Sequence, residues 1–111
     1  MKYLFVGECR SDKAIAMNVT WQDGRLAAKQ LFDALQAIGI KISDCAFTNW
    51  FDNDPNIVRK NTTHRIVGMG RKVQKALDAE NIPHLKLIHP AARGSIRKKS
   101  NYIKHAKSVL I

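Results

Sequence analysis

Cysteine is scarce in this chain: Cys9 and Cys45 are the only two. They cannot build the disulfide framework of a small secreted domain, and they lack the close spacing of a metal clip. His64, His84 and His105 share no ligand spacing either, so neither a metal nor a cofactor is expected. Long apolar runs are missing too. Nothing approaches the roughly 18 residues that a membrane span needs. The apolar start Tyr3 to Val6 halts at Gly7-Glu8, too short for a secretory leader, so the expected location is the cytoplasm. There is no internal repeat, low-complexity tract or linker. With 111 residues, 1–111 reads as one domain with room for one core and one site, expected to act as a monomer.

Negative charge is scarce in one half only. Residues 56–111 hold thirteen Lys/Arg against Asp78 and Glu80, whereas residues 1–55 hold six against seven acidic residues. The net +10 of the chain is therefore concentrated, which points to a face that meets a polyanion, nucleic acid first. A solvated basic surface without a partner is the plainer reading of the same charge.

Hydrophobic periodicity alternates between strand and helix. Lys2 to Val6 reads as a buried strand ended by Gly7. Leu26 to Ile38 sets Ala27, Ala28, Leu31, Phe32, Leu35 and Ile38 at helical spacing, with Gly39 as the stop. Cys45 to Thr48 is strand-like and ends at Asn49, and Asp52 to Asn56 has the composition of a turn and loop. Arg65 to Gly68 is a third strand. Val73, Ala76 and Leu77 suit a helix that Asn81-Ile82-Pro83 breaks. Leu85 to Ile88 is a fourth strand, and a last helix runs from about Asn101 to Leu110. Such alternation predicts an α/β fold in three layers, a four-stranded parallel sheet flanked by helices. Ligands of open parallel sheets bind at the carboxyl ends of the strands. Gly7-Glu8, Thr48-Asn49, Gly68-Met69-Gly70 and His89-Pro90 fall there.

These strand ends, taken in order, resemble the uracil-DNA glycosylase superfamily, nearest to its Gly-Glu-Ala-Pro-Gly branches. Leu4-Phe5-Val6-Gly7-Glu8 resembles the family's first motif, and Ala34-Leu35-Gln36-Ala37-Ile38-Gly39-Ile40 the helix after it. Phe47-Thr48-Asn49 resembles the strand ending in Thr-Asn, Ile66-Val67-Gly68-Met69-Gly70 the third strand, and Leu87-Ile88-His89-Pro90-Ala91-Ala92 the His-Pro-Ser motif. The resemblance implies removal of uracil from DNA by hydrolysis of the N-glycosidic bond after base flipping, as in base excision repair, on single- or double-stranded DNA. Glu8 would position or activate water and stabilise charge on the sugar. His89 would donate to uracil O2 as the bond breaks. Asn49 would read the edge of the base, Gly7 would help to bind it, and Trp21 would stack on it. Arg10, Arg93, Ser95, Arg97, Lys98 and Lys99 would meet the DNA.

Each of these residues also has a plainer reading: a solvated Glu8, a turn-forming Asn49, a backbone-satisfied His89, a solvated basic loop. Trp21 could be a core lid, with Trp50 or Phe51 stacking instead. The chain departs from the family where Cys9-Arg10-Ser11 replace Ala-Pro-Gly, where the Ser after His-Pro is missing, and in lacking the four cysteines of an iron–sulfur cluster. The alternative is a catalytically inactive DNA-binding protein on the same fold.

Overall fold

The computed structural model of the chain describes residues 2–9, 12–18, 20–23 and 27–111. Arg10 and Ser11, and Leu26 where the second helix is expected to begin, therefore lie outside the described residues. Four strands, β1 (Tyr3–Gly7), β2 (Cys45–Asn49), β3 (Arg65–Met69) and β4 (Leu85–Leu87), form one sheet in the order β2-β1-β3-β4. Every neighbouring pair is parallel, with Gly7 opposite Asn49 and Met69 opposite Leu87. Among the described residues five helices flank it: α1 (Asp12–Met17), α2 (Ala27–Ala37), α3 (Asn56–Arg59), α4 (Arg71–Ala79) and α5 (Lys99–Leu110). The three-layer α/β architecture expected from the periodicity is the one observed.

The alternation of side chains along β1 makes the layers. Tyr3 and Phe5 pack on one face with Leu31 and Leu35 of α2 and Tyr102 and Ala106 of α5. Leu4 and Val6 pack on the other with Val58 of α3 and Val73 and Leu77 of α4. A strand buried on both faces must be apolar throughout, which is why Tyr3 to Val6 carries no polar spacing. Each such side chain contributes about 1.5–3 kcal/mol on burial. Two tyrosines fasten α5 to the sheet. The Tyr3 hydroxyl donates to the Leu110 carbonyl at 2.9 Å and the Tyr102 hydroxyl to the Ile88 carbonyl at 2.7 Å. Burial pushes the Tyr102 phenol well above its ordinary value, so it stays a donor.

Helix α2 stops where Gly39 adopts φ 84° and Ile40 donates to the Leu35 carbonyl at 2.9 Å. The stretch expected as loop after Asp52 contains α3. Asp54 accepts the Asn56 N–H at 3.0 Å, and Pro55, at φ −58°, is preset for the turn. Arg59, at the far end of α3, grips Glu80 with two bonds of 2.6 and 2.8 Å. Helix α1 has no buried residue, so no apolar stripe announces it. Helix α5 starts at Lys99, just ahead of the expected Asn101, and Ser95–Arg97 before it form a tight 3-10 turn.

Candidate active site at the carboxyl edge of the sheet

Because the sheet is wholly parallel, the residues that end its strands share one edge. Asn49 closes β2, Glu8 follows β1, Gly70 follows β3 and His89 follows β4. Gly7, Asn49, Trp21 and His89 form one continuous group. The Trp21 indole N–H donates to Asn49 Oδ1 at 2.7 Å. The indole and His89 rings lie 6.1 Å apart, tilted by 55°. A Cβ on Gly7 would meet Asn49 Oδ1 at 2.5 Å and Trp21 Cζ2 at 3.0 Å, so only glycine leaves room for this pair.

Asn49 is almost fully buried, at 6% exposure, and each of its polar groups is engaged. An indole N–H can only donate, so the amide atom facing it must be the oxygen. Nδ2 then donates to Asp52 Oδ2 at 3.3 Å. Asn53 fixes the backbone beneath: its Oδ1 accepts the Asn49 N–H at 2.9 Å and the Thr48 hydroxyl at 3.1 Å. Trp21 opens a short 3-10 turn held by a reciprocal cap. Thr20 donates its N–H to Asp23 Oδ2 at 2.6 Å, and its carbonyl accepts the Asp23 N–H at 3.1 Å.

His89 accepts the Ala91 N–H at Nδ1, 3.0 Å away. The neutral ring therefore carries its proton on Nε2 and offers a donor there. Burial holds its pKa below the ordinary histidine value, and the Glu8 carboxylate opposes that shift. Gly70, at φ 92°, turns the chain from β3 into α4 and lies beside the imidazole: a Cβ there would sit 3.5 Å from His89 Cβ. A backbone angle of that sign is cheap only for glycine.

Glu8 inclines to the other side of the sheet. Its Oε1 pairs with Lys72 Nζ of α4 at 3.2 Å, and its carbonyl accepts the Phe51 N–H at 2.9 Å. Cys9 beside it is exposed. Desolvation, then the Glu8 and Asp52 carboxylates, push its thiol up, the opposite of an activated nucleophile.

The three aromatic candidates for stacking separate clearly. Trp50 is buried in the α3–α4 cluster, with the Arg59 guanidinium 5.4 Å from its ring centroid, so it has no free face. Trp21 has one neighbour of nearly parallel orientation, Phe47, at 6.4 Å and 23°. Phe51 is 53% exposed beside Glu8, and Lys72 Nζ lies 5.6 Å from its ring. A cleft of about 440 Å³ runs past Trp21, Thr48, Asn49, Asp52, Asn53 and Ile57.

Arg93, Ser95, Arg97, Lys98 and Lys99 are all exposed. They lie on the segment between His89 and the start of α5. Arg93, Arg97 and Lys99 border a second cleft, of about 580 Å³, with Lys29 opposite on α2. Asp33 accepts from Lys29 at 2.8 Å and pairs with Lys99 at 3.3 Å; the Lys29 bond, aided by Lys99, holds its carboxyl below the usual carboxylate range. Arg10, also expected at the DNA, lies outside the described residues.

Lys72, Asp52 and Asn53 join the site without a signal in the sequence. Lys72 is one basic residue among many on the outer side of a helix, and Asp52 and Asn53 have only the composition of a turn. Among the described residues no group of three or more His, Cys, Asp or Glu side chains is placed to share a metal ion, and no helix is long and apolar enough to cross a membrane. Compared with protein-family models, curated proteins and solved structures, the chain matches none.

Proposed function

We propose that this chain is a DNA glycosylase of the uracil-DNA glycosylase type, which hydrolyses the N-glycosidic bond of an extruded uracil. The observation that carries the reading is the meeting of a buried amide, an indole and an Nε2-protonated imidazole at the carboxyl edge of the sheet, the edge on which Glu8 also lies. Asn49 Oδ1 would accept the ring N–H of uracil and its Nδ2 would donate to the adjacent carbonyl. As the bond from the sugar carbon to the base nitrogen breaks, its electron pair passes into the base, and the neutral His89 Nε2–H would stabilise the charge gathering on O2. Water adds to the sugar carbon and gives its proton to Glu8, whose negative charge also favours the cationic sugar. Arg93, Ser95, Arg97, Lys98 and Lys99 would hold the phosphates while the base is out of the stack.

A second reading is a DNA-binding protein on this fold without chemistry. Lys72 favours it, because its ammonium occupies Glu8 Oε1 from 3.2 Å, an oxygen that an attacking water would need. The two readings part on one experiment. Uracil-containing single- and double-stranded oligonucleotides are incubated with the protein and treated with alkali. Strand breaks at uracil support the glycosylase. Retarded but intact strands support the binder. Strands that are neither broken nor retarded remove both.

A further inference from the structure

We infer that Trp21 and Asp52 lock the Asn49 amide in the one orientation that reads an imide base, which makes Trp21 a specificity-determining residue rather than a stacking platform. The inference rests on the glycosylase reading above.

A free asparagine amide can turn over at little cost, since its oxygen and nitrogen are nearly the same size. Turned one way it offers an acceptor and a donor that match the N–H and carbonyl of uracil. Turned the other way it matches the ring nitrogen and amine of cytosine equally well. An unconstrained asparagine therefore discriminates poorly between the two bases. In this chain the amide is constrained from both ends. The Trp21 N–H, 2.7 Å from Oδ1, accepts nothing, so it repels an amide nitrogen placed there. The Asp52 carboxylate, 3.3 Å from Nδ2, donates nothing when ionised, so it repels an amide oxygen. A flip would break both bonds and set two like groups against each other in a site where Asn49 has 6% exposure. Oδ1 keeps a second lone pair for a base, so the lock and the reading can coexist.

The surroundings hold the lock in place. Gly7 offers no Cβ to wedge between the indole and the amide. The Thr20–Asp23 cap fixes the turn that carries Trp21, and Asn53 fixes the backbone that carries Asn49. The ring of Trp21 lies alongside Phe47, so its polar edge is the part turned to Asn49.

The decisive variant is Trp21→Phe, which keeps an aromatic ring and removes the N–H. We expect the ratio of kcat/KM on uracil- over cytosine-containing oligonucleotides to fall at least tenfold, mostly through new activity on cytosine. In 15N-labelled wild-type protein, free uracil shifts both the Trp21 indole resonance and the Asn49 side-chain amide pair, while cytosine shifts neither. In the variant, cytosine shifts the Asn49 pair. Trp50, buried elsewhere, serves as the internal reference. A variant that cleaves uracil with undiminished discrimination overturns the lock and leaves the glycosylase reading standing. Wild-type protein that neither cleaves uracil nor shifts at Asn49 overturns the reading and the lock together. Should Trp21→Phe fail to fold, Asp52→Ala, at an exposed position, releases the other end of the amide, and the same loss of discrimination is expected; unchanged discrimination there counts against the lock.

Discussion

The backbone N–H of Ala91 points at Nδ1 of His89 from 3.0 Å, and this one bond decides which ring nitrogen holds the proton. A second proton would have to enter at Nδ1, facing another N–H, and would forfeit the bond. The neutral ring with a donor at Nε2 is thus the form that the fold selects, in agreement with a pKa held down by burial.

A first prediction concerns rate. His89→Ala removes one donor to the developing anion and is expected to slow uracil excision on the order of 100-fold, or about 3 kcal/mol in the barrier. The wild-type rate should be level above pH 6.5, the ordinary histidine value, and fall only below it. A rate that rises on acidification through this range would contradict the neutral-donor role. Single-turnover kinetics from about pH 5 to 8, with circular dichroism of the variant as the folding control, provide the check.

Stability should follow pH through the same chemistry. His105 accepts the Ile88 N–H at Nε2, 2.9 Å away, and burial lowers its pKa, as it does for His89. Below pH 6.5 the unfolded chain therefore binds more protons than the folded one, so stability is complete above that value and declines as the pH drops. Asp33 and Glu80, whose values are lowered by the Lys29 bond and the Arg59 bond respectively, add their loss only on stronger acidification, below 3.8 and 4.5. Urea midpoints should show the upper decline in the wild type and a shallower one in His105→Gln. Equal slopes would remove His105 as a cause.

Gly7→Ala places a methyl group 2.5 Å from Asn49 Oδ1 and 3.0 Å from Trp21. The expected cost is about 1–3 kcal/mol from overpacking. Because the clash lies at the indole–amide bond, the Trp21 side-chain resonance should move while that of Trp50 does not. Thermal melts and the same spectra test this, and an unperturbed Trp21 would mean that the close approach is not maintained in solution.

Affinity for DNA should fall steeply with salt, since each phosphate contact releases counterions. Arg97→Ala and Lys98→Ala should each weaken binding without regard to sequence and reduce the logarithmic salt slope by about 1. A slope that neither substitution changes would place the polyanion face elsewhere on the basic half.

The strands, the three longer helices and the shared edge are readable in the sequence because each depends on local pattern: apolar runs broken by Gly, Asn or Pro, and period-3.6 stripes, two of them ended by Gly39 and Asn81. The direction of side chains beyond the strands is not. Trp50 and Phe51 are neighbours in sequence, yet one goes under α3 and α4 and the other into solvent, a choice made by helices distant from the strand pattern. The contact of Trp21 with Asn49 joins residues 28 positions apart and has no periodic signature. Lys72 is legible as helical and basic, but its reach to Glu8 depends on how α4 lies against β1. Asp52 and Asn53 read as turn formers and not as partners of Asn49, because the same side-chain oxygens do both jobs.

The bond from Tyr3 to the carbonyl of Leu110 spans 107 positions. During synthesis the face of the central strand that α5 covers emerges long before α5 does, and it stays bare until that helix has left the ribosome. Phe5, Leu31 and Leu35 are then an adhesive surface on the nascent chain. A chain cut at Arg97 or Lys98, just ahead of the helix, would leave that face open to water and prone to stick to other chains.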